Sequence, residues 1–321
     1  MVAMGAGAIV APLHALGLKG GKVYRVGFLA PDSADLASDP FVRAMLEGLR
    51  KYGYEERQNI QFDFRFADGK YDQLPRLADE LIDRQPDVLA SVGTPGVMAL
   101  KNATRTIPIV MVASGDAVAT GLIASLARPG GNITGSTFFG KELMLKRLQL
   151  LKDAAPGIRR VAVLVNPDNQ ITESNLRAMA EAERPLAIEL LRIDVRLGSD
   201  VVPAFQKMRN NKASAVAVFE DAVLYGSARR ISDLALDQRL PAVGFTDLAD
   251  NGGLIGYGAS FLEMFRRAGY FMNRVLNGES PANIPAERPT TFDLVLNLKT
   301  AKALGLTIPP SILLRADRVI E

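Results

Sequence analysis

The stretch ARPGGNITG, residues 127–135, decides the fold. Two glycines and a proline stop an apolar helical pattern. Asn132-Ile133-Thr134 then start a strand that runs through Ser136-Thr137-Phe138-Phe139 straight into another helix. Such a strand is either one edge of a single large sheet or a crossover between two sheets, and counting strands separates these cases. Strand-like runs precede it at 23–30, 59–67, 87–93 and 107–114, and the stretch itself supplies 132–138. Further runs follow at 160–166, 188–195, 214–220, 241–246, 253–258 and 292–297. Eleven strands are too many for one comfortable open sheet, and 321 residues exceed what one hydrophobic core normally organises.

The expected architecture is therefore α/β, with two doubly wound parallel-sheet lobes. Several strands are continuous apolar runs, as suits parallel strands covered on both faces. Residues 22–137 with 257–288 form the first lobe, and 138–256 with 289–321 the second. The 132–138 strand is the first crossover. The segments DLADNGGLIGYG (247–258) and PAERPTTFDLVLN (285–297) carry the chain back and forth again. Three crossing strands make a hinge that can bend without unfolding either core.

The helices between the strands have recognisable ends. In SDPFVRAMLEGLRKYGY, Asp39 caps, Pro40 suits the first helical position, and Phe41, Met45, Leu46 and Leu49 share a face before Gly53. GKELMLKRLQLLKDAAP turns Leu143, Leu148 and Leu151 inward and ends at Pro156.

Composition excludes much chemistry. The chain has no Cys and one His, His14, which lies outside the body of the fold. Thiol nucleophiles, disulfides, zinc-thiolate sites and Ser-His-Asp catalysis are thereby removed, and no metal or cofactor is called for. Absence of Cys also suits an oxidising compartment. Lys and Arg number 38 against 35 Asp and Glu, and the basic residues are scattered, so no nucleic-acid footprint exists. Residues 1–21 read as a leader, because Gly5–Leu18 has the length and composition of a secretory hydrophobic region, although a basic start is missing.

The blocks RPGGNITG, FADGKYDQLPRLADELI, GTPGVMALKNATRTIPIVMV and, above all, NLKTAKALGLTIPPSILLRADRVIE resemble the substrate-binding proteins of ABC importers, in the tryptophan/tyrosine-type subfamily. The likeness runs from about Val23 to Glu321. It implies a type I periplasmic-binding fold closing on a small molecule, an extracytoplasmic location, ABC permease subunits as partners and a monomeric chain. Pro185, within AEAERPLAIEL, departs from the family's pattern at a helix end.

In open α/β sheets ligands sit beyond the carboxyl ends of the strands. After the first strand, Asp32 and Ser33 offer polar contacts. Thr94, Pro95 and Gly96 open a helix whose first-turn amides favour an anion; the alternative is that Thr94 only caps and Pro95 only starts the helix. Ser114 and Asp116 repeat the arrangement after the next strand, as ligand contacts or as caps of a second helix. Glu220 and Asp221 end a buried strand of the second lobe, where paired acids suit an ammonium group; one of them is equally a helix cap. Asn166 belongs to the rim, and Phe245 and Tyr257 either stack on a ligand or pack the core. Helix N-termini on one lobe and acids on the other suit an amino acid or related carboxylate. Two other readings remain at this level: a cytosolic small-molecule sensor of the same fold, for which the residues before the first strand leave no room for a helix-turn-helix domain, and a carboxylate-dependent α/β enzyme.

Overall fold

The computed structural model describes residues 21–32, 39–138 and 140–321. Ser33, His14 and all but the last residue of the leader-like segment lie outside the described residues. The chain runs β1 (Tyr24–Ala30), α1 (Pro40–Arg50), β2 (Ile60–Phe66), α2 (Leu74–Ile82), β3 (Val88–Val92), α3 (Gly93–Ala103), β4 (Ile109–Gly115) and β5 (Ile133–Phe138). It continues through α4 (Gly140–Ala154), β6 (Arg160–Val165), α5 (Thr172–Ala180), α6 (Glu183–Leu186), β7 (Glu189–Asp194), α7 (Val201–Asn210), β8 (Ala215–Val218), α8 (Ala222–Gly226), α9 (Ala228–Asp237), β9 (Ala242–Gly244), α10 (Thr246–Asp250) and β10 (Ile255–Gly258). Last come α11 (Phe261–Leu276), β11 (Asp293–Asn297), α12 (Leu298–Leu304), α13 (Pro310–Leu313) and β12 (Arg318–Ile320).

Two sheets result, in the orders β2-β1-β3-β4-β5 and β12-β11-β10-β9-β8-β6-β7. Each expected strand is present to within two residues at either end; β12, which pairs parallel with β11, is additional. The second sheet is not wholly parallel, because β11 runs antiparallel to β10. The reason is topological. The chain leaves this sheet at the carboxyl end of β10 and re-enters from the same side, so the next strand must point the other way.

Between β10 and β11, α11 packs on α1 in the first lobe. The approach is close: a Cβ on Gly48 would stand 2.0 Å from the Arg266 carbonyl oxygen, and one on Gly269 2.4 Å from the Gly48 carbonyl carbon. The chain thus crosses between lobes between β5 and α4, at Ala259–Ser260 and across 288–292. Crossing strands are tied together where the Thr137 amide donates to the Glu287 carbonyl at 2.9 Å and the Glu287 amide to that of Gly135 at 2.9 Å.

The helix ends follow local chemistry. Asp39 caps α1, its Oδ1 accepting from the Phe41 and Val42 amides at 2.7 and 3.2 Å. Leu143, Leu148 and Leu151 of α4 are buried as their spacing requires. One expected helix is absent. After β4, residues 117–126 form turns, because Asp116 accepts from the Ala119 amide through its side chain and from Thr120 through its carbonyl, and Gly121 is left-handed at φ 70°. Among the described residues no helix is long and apolar enough to cross a membrane.

Candidate functional site

The carboxyl ends of β1, β3, β4 and β8 face one another across the gap between the sheets. About 870 Å³ of space lies there, part of it open to solvent. Among the described residues, eight aromatic side chains line it: Phe28, Phe41, Phe66, Tyr71, Phe138, Tyr225, Phe261 and Phe265. They brace one another, with ring centroids 5.2 Å apart for Phe41 and Phe265, 5.5 Å for Phe138 and Phe261, and 5.7 Å for Tyr225 and Phe261. The polar lining includes Asp32, Asp39, Thr94, Asn169, Glu220 and Asp221, and among the described residues it contains no Lys, Arg or His.

The four acids are in different states. Burial pushes the Asp32 carboxyl up to about 6, with the charges of Asp39 and Asp221 adding and a hydrogen bond from its own amide opposing. Asp39 is spent on capping α1. Asp221 caps α8, its Oδ1 accepting from the Val223 amide at 3.0 Å and from Asn166 Nδ2 at 3.2 Å. Its Oδ2 accepts from Asn169 Nδ2 at 3.0 Å and from the Tyr71 hydroxyl at 2.8 Å. Burial raises the Asp221 carboxyl, and the Asn169, Tyr71, Asn166 and Val223 hydrogen bonds hold back part of that rise. Burial also pushes the Tyr71 hydroxyl well up, followed by the Asp221 charge, so that it remains a donor.

Glu220 and Asp221 do not form the paired-acid seat that their adjacency suggests. Asp221 has extended backbone, φ −153° and ψ 143°, which sends neighbouring side chains to opposite sides. Glu220 instead pairs with Arg147 of α4, whose side chain is 1% exposed. The Arg147 Nε also donates to the Tyr257 carbonyl at 2.7 Å.

On the first lobe, Gly93, Thr94 and Pro95 line the space at the start of α3. The Thr94 hydroxyl is 3.4 Å from that of Ser114. A Cβ on Gly115 would be 3.2 Å from the Thr94 hydroxyl, so a glycine there leaves this corner open. Gly96 sits behind the site: its Cβ would meet the Ser91 hydroxyl at 2.2 Å, and its role is to let α3 lie on the sheet. Ser114 is fully buried beneath the lining, and Asp116 turns away toward Arg288, 3.8 Å distant. With no helix after β4, these two do not make a second helix N-terminus. Asn166 is buried behind Asp221 as its donor. Phe245 packs the core against Tyr225, centroids 4.2 Å apart, and Tyr257 lies tilted against Phe292, centroids 6.3 Å apart, outside the lining.

Sequence reasoning missed Tyr71, Asn169, Arg147 and the aromatic lining. Tyr71 lies in the block FADGKYDQLPRLADELI and reaches a residue 150 positions later. Nothing local marks that meeting. Arg147 was hidden on a helix face whose neighbours are leucines; a charged residue among inward positions was the available signal. The Tyr71 to Asp221 bond and the edge-on pair Phe41 and Tyr225, 6.0 Å apart, join first-lobe to second-lobe elements across the cleft, so the lobes are closed on each other.

Residues 28–320 match the family described as ABC transporter substrate binding protein. A tyrosine-binding protein of Clostridioides difficile is 26% identical over 275 residues, 85% of this chain and 78% of that one. A conserved domain protein from Vibrio cholerae has a crystal structure that superposes with TM-score 0.86 at 26% identity, over 93% of this chain and 100% of that one. An ABC domain from Streptococcus pneumoniae in complex with L-Trp superposes with TM-score 0.85 at 23% identity and the same coverage. These neighbours share the two-lobed type I periplasmic-binding architecture, and the matched family is one of substrate-binding proteins, not of enzymes. With the family matched over most of its length, the chain belongs to the substrate-binding proteins of ABC transporters.

Proposed function

We propose that the protein is the extracytoplasmic receptor of an ABC importer, a monomer that closes two lobes on an amino acid with an aromatic side chain and delivers it to the permease subunits. The observation that carries this reading is the lining itself: among the described residues, eight aromatic side chains around a space whose charged groups are all acidic. An aromatic body gains from offset and edge contacts with such rings. Asp32, without a cationic partner among the described residues, is the seat for the ammonium. The amino acid's carboxylate falls to the Thr94 hydroxyl and the first-turn amides of α3, an 11-residue helix whose N-terminus attracts negative charge. A tyrosine-binding relative supports the ligand class.

Differential scanning fluorimetry with L-tyrosine, L-tryptophan, L-phenylalanine, benzoate and 4-hydroxybenzoate tests it. An aromatic amino acid at about 100 times its Kd is expected to add about 2.7 kcal/mol of stability. Stabilisation by the benzoates alone would replace the reading with an aromatic acid receptor. That outcome is disfavoured because an aromatic acid on the α3 amides would leave Asp32 without a cation, the described lining having no basic side chain.

A further inference from the structure

We propose that Glu220 determines specificity, accepting a hydrogen bond from a donor on the ligand's ring, a phenol O–H or an indole N–H. The inference rests on the reading just given and assigns the distal end of the same ligand. Glu220 lines the cavity, yet its side chain is only 9% exposed. Its Oε1 is held by Arg147 Nη2. Its other oxygen has no protein partner among the described residues.

The guanidinium behind it is locked from three sides: Nε on the Tyr257 carbonyl at 2.7 Å, Nη2 on Glu220, and Nη1 3.9 Å from the Met144 sulfur. Gly258 completes the corner, since a Cβ there would stand 3.0 Å from Arg147 Nη2. A buried ion pair of this kind is costly to desolvate and is weak evidence for stability. Its geometric effect is to fix one carboxylate oxygen of a lining residue and leave the second without a protein partner among the described residues.

The amine seat, Asp32, follows β1 on the first lobe, whereas Glu220 follows β8 on the second. The Tyr225 hydroxyl is itself turned away to Asp247, so it does not satisfy Glu220. The lining therefore holds two kinds of acid: Asp32, without a cation among the described residues and suited to an ammonium, and Glu220, whose charge is already balanced by Arg147 and which suits a neutral donor. A ring lacking the donor would leave a desolvated carboxylate oxygen unpaired, which is how a polar pocket rejects an apolar analogue.

Calorimetric titration at neutral pH with L-tyrosine, L-phenylalanine, O-methyl-L-tyrosine, L-tryptophan and 1-methyl-L-tryptophan provides the test. In the unmodified protein, whichever of L-tyrosine or L-tryptophan binds is expected to exceed its donor-lacking counterparts by at least about tenfold. In the double variant Arg147→Met with Glu220→Met, which removes both charges together and so leaves neither orphaned, that preference is expected to fall within about threefold. L-phenylalanine and the methylated analogues binding the unmodified protein as tightly as their parents would overturn the proposal while leaving the aromatic amino acid reading intact. So would a preference that survives in a folded double variant. Should the double variant not fold, the ligand series on the unmodified protein still decides. If none of the five binds, the reading of the ligand class falls, and this assignment with it.

Discussion

Asp32 carries the sharpest consequence of a single residue's surroundings. With the lobes closed, its carboxyl is raised from the ordinary aspartate value near 3.8 to about 6, chiefly by burial. A folded value above the unfolded one means that the protonated form is favoured by folding. The associated stability is fully present below about pH 4 and is lost as the pH rises through about 6. Asp32→Asn is therefore expected to stabilise the ligand-free protein at pH 7.5 by up to about 3 kcal/mol, less to the extent that water screens this partly buried group. Thermal melts of both proteins from pH 4 to 8 check this, and the difference should vanish toward pH 4. The same variant should weaken an ammonium-bearing ligand by about 2–5 kcal/mol at pH 7.5, measured by titration calorimetry. In the unmodified protein, affinity for that ligand should fall below about pH 6, by at most about tenfold per pH unit, because the proton and the ammonium compete for one carboxylate.

Among the elements, α4 and α11 do the most to place the site. α4 starts immediately after the first crossing and buries Arg147 among leucines, where the guanidinium holds Glu220 and the end of β10. Arg147→Ala is expected to cost about 3–5 kcal/mol, because it leaves a buried carboxylate unpaired, and chemical denaturation would read the loss. α11 brings Phe261 and Phe265 back to the first lobe, and its contact with α1 depends on Gly48. Gly48→Ala should destabilise by about 1–3 kcal/mol or more, since the added methyl meets backbone that cannot swing aside. The amphipathic patterns and caps of both helices were legible in the sequence. Their partners were not, because pattern specifies which face is buried and not what lies opposite it.

For the whole molecule the decisive quantity is the balance between open and closed lobes. The Tyr71 to Asp221 bond spans the cleft and can form only when the lobes meet, so it favours closure without touching the ligand's own chemistry. A hydrogen bond to a charged acceptor is worth about 1.5–3 kcal/mol. Tyr71→Phe is expected to weaken ligand binding by about that amount and to widen the ligand-free protein in small-angle scattering, with the thermal stability of each lobe little changed. An unchanged scattering profile together with unchanged affinity would show that the bond does not hold the lobes. The absence of native Cys allows a second check. Labels on Asp72→Cys and Gln170→Cys, positions that face each other across the outer cleft, should draw together when ligand is added.

The sequence by itself determined the two-lobed α/β plan, because strand runs, breakers and caps act within a few residues and need no distant partner. Within 127–135 the strand from Ile133 is the last of the first sheet, as read, whereas the helix read before it is a run of turns. The start of α3 at Gly93-Thr94-Pro95 was also legible, where local backbone chemistry is enough. The tertiary structure decided which acids serve which end of the cleft. Glu220 and Asp221 are neighbours in the chain, yet an extended backbone and two distant partners, Arg147 and Tyr71, send them to separate tasks. The turns after β4 displaced an expected helix because Asp116 and Gly121 offered the backbone a cheaper set of hydrogen bonds there. Long-range pairing of this kind depends on which surfaces the hinge brings together, and no local pattern encodes that.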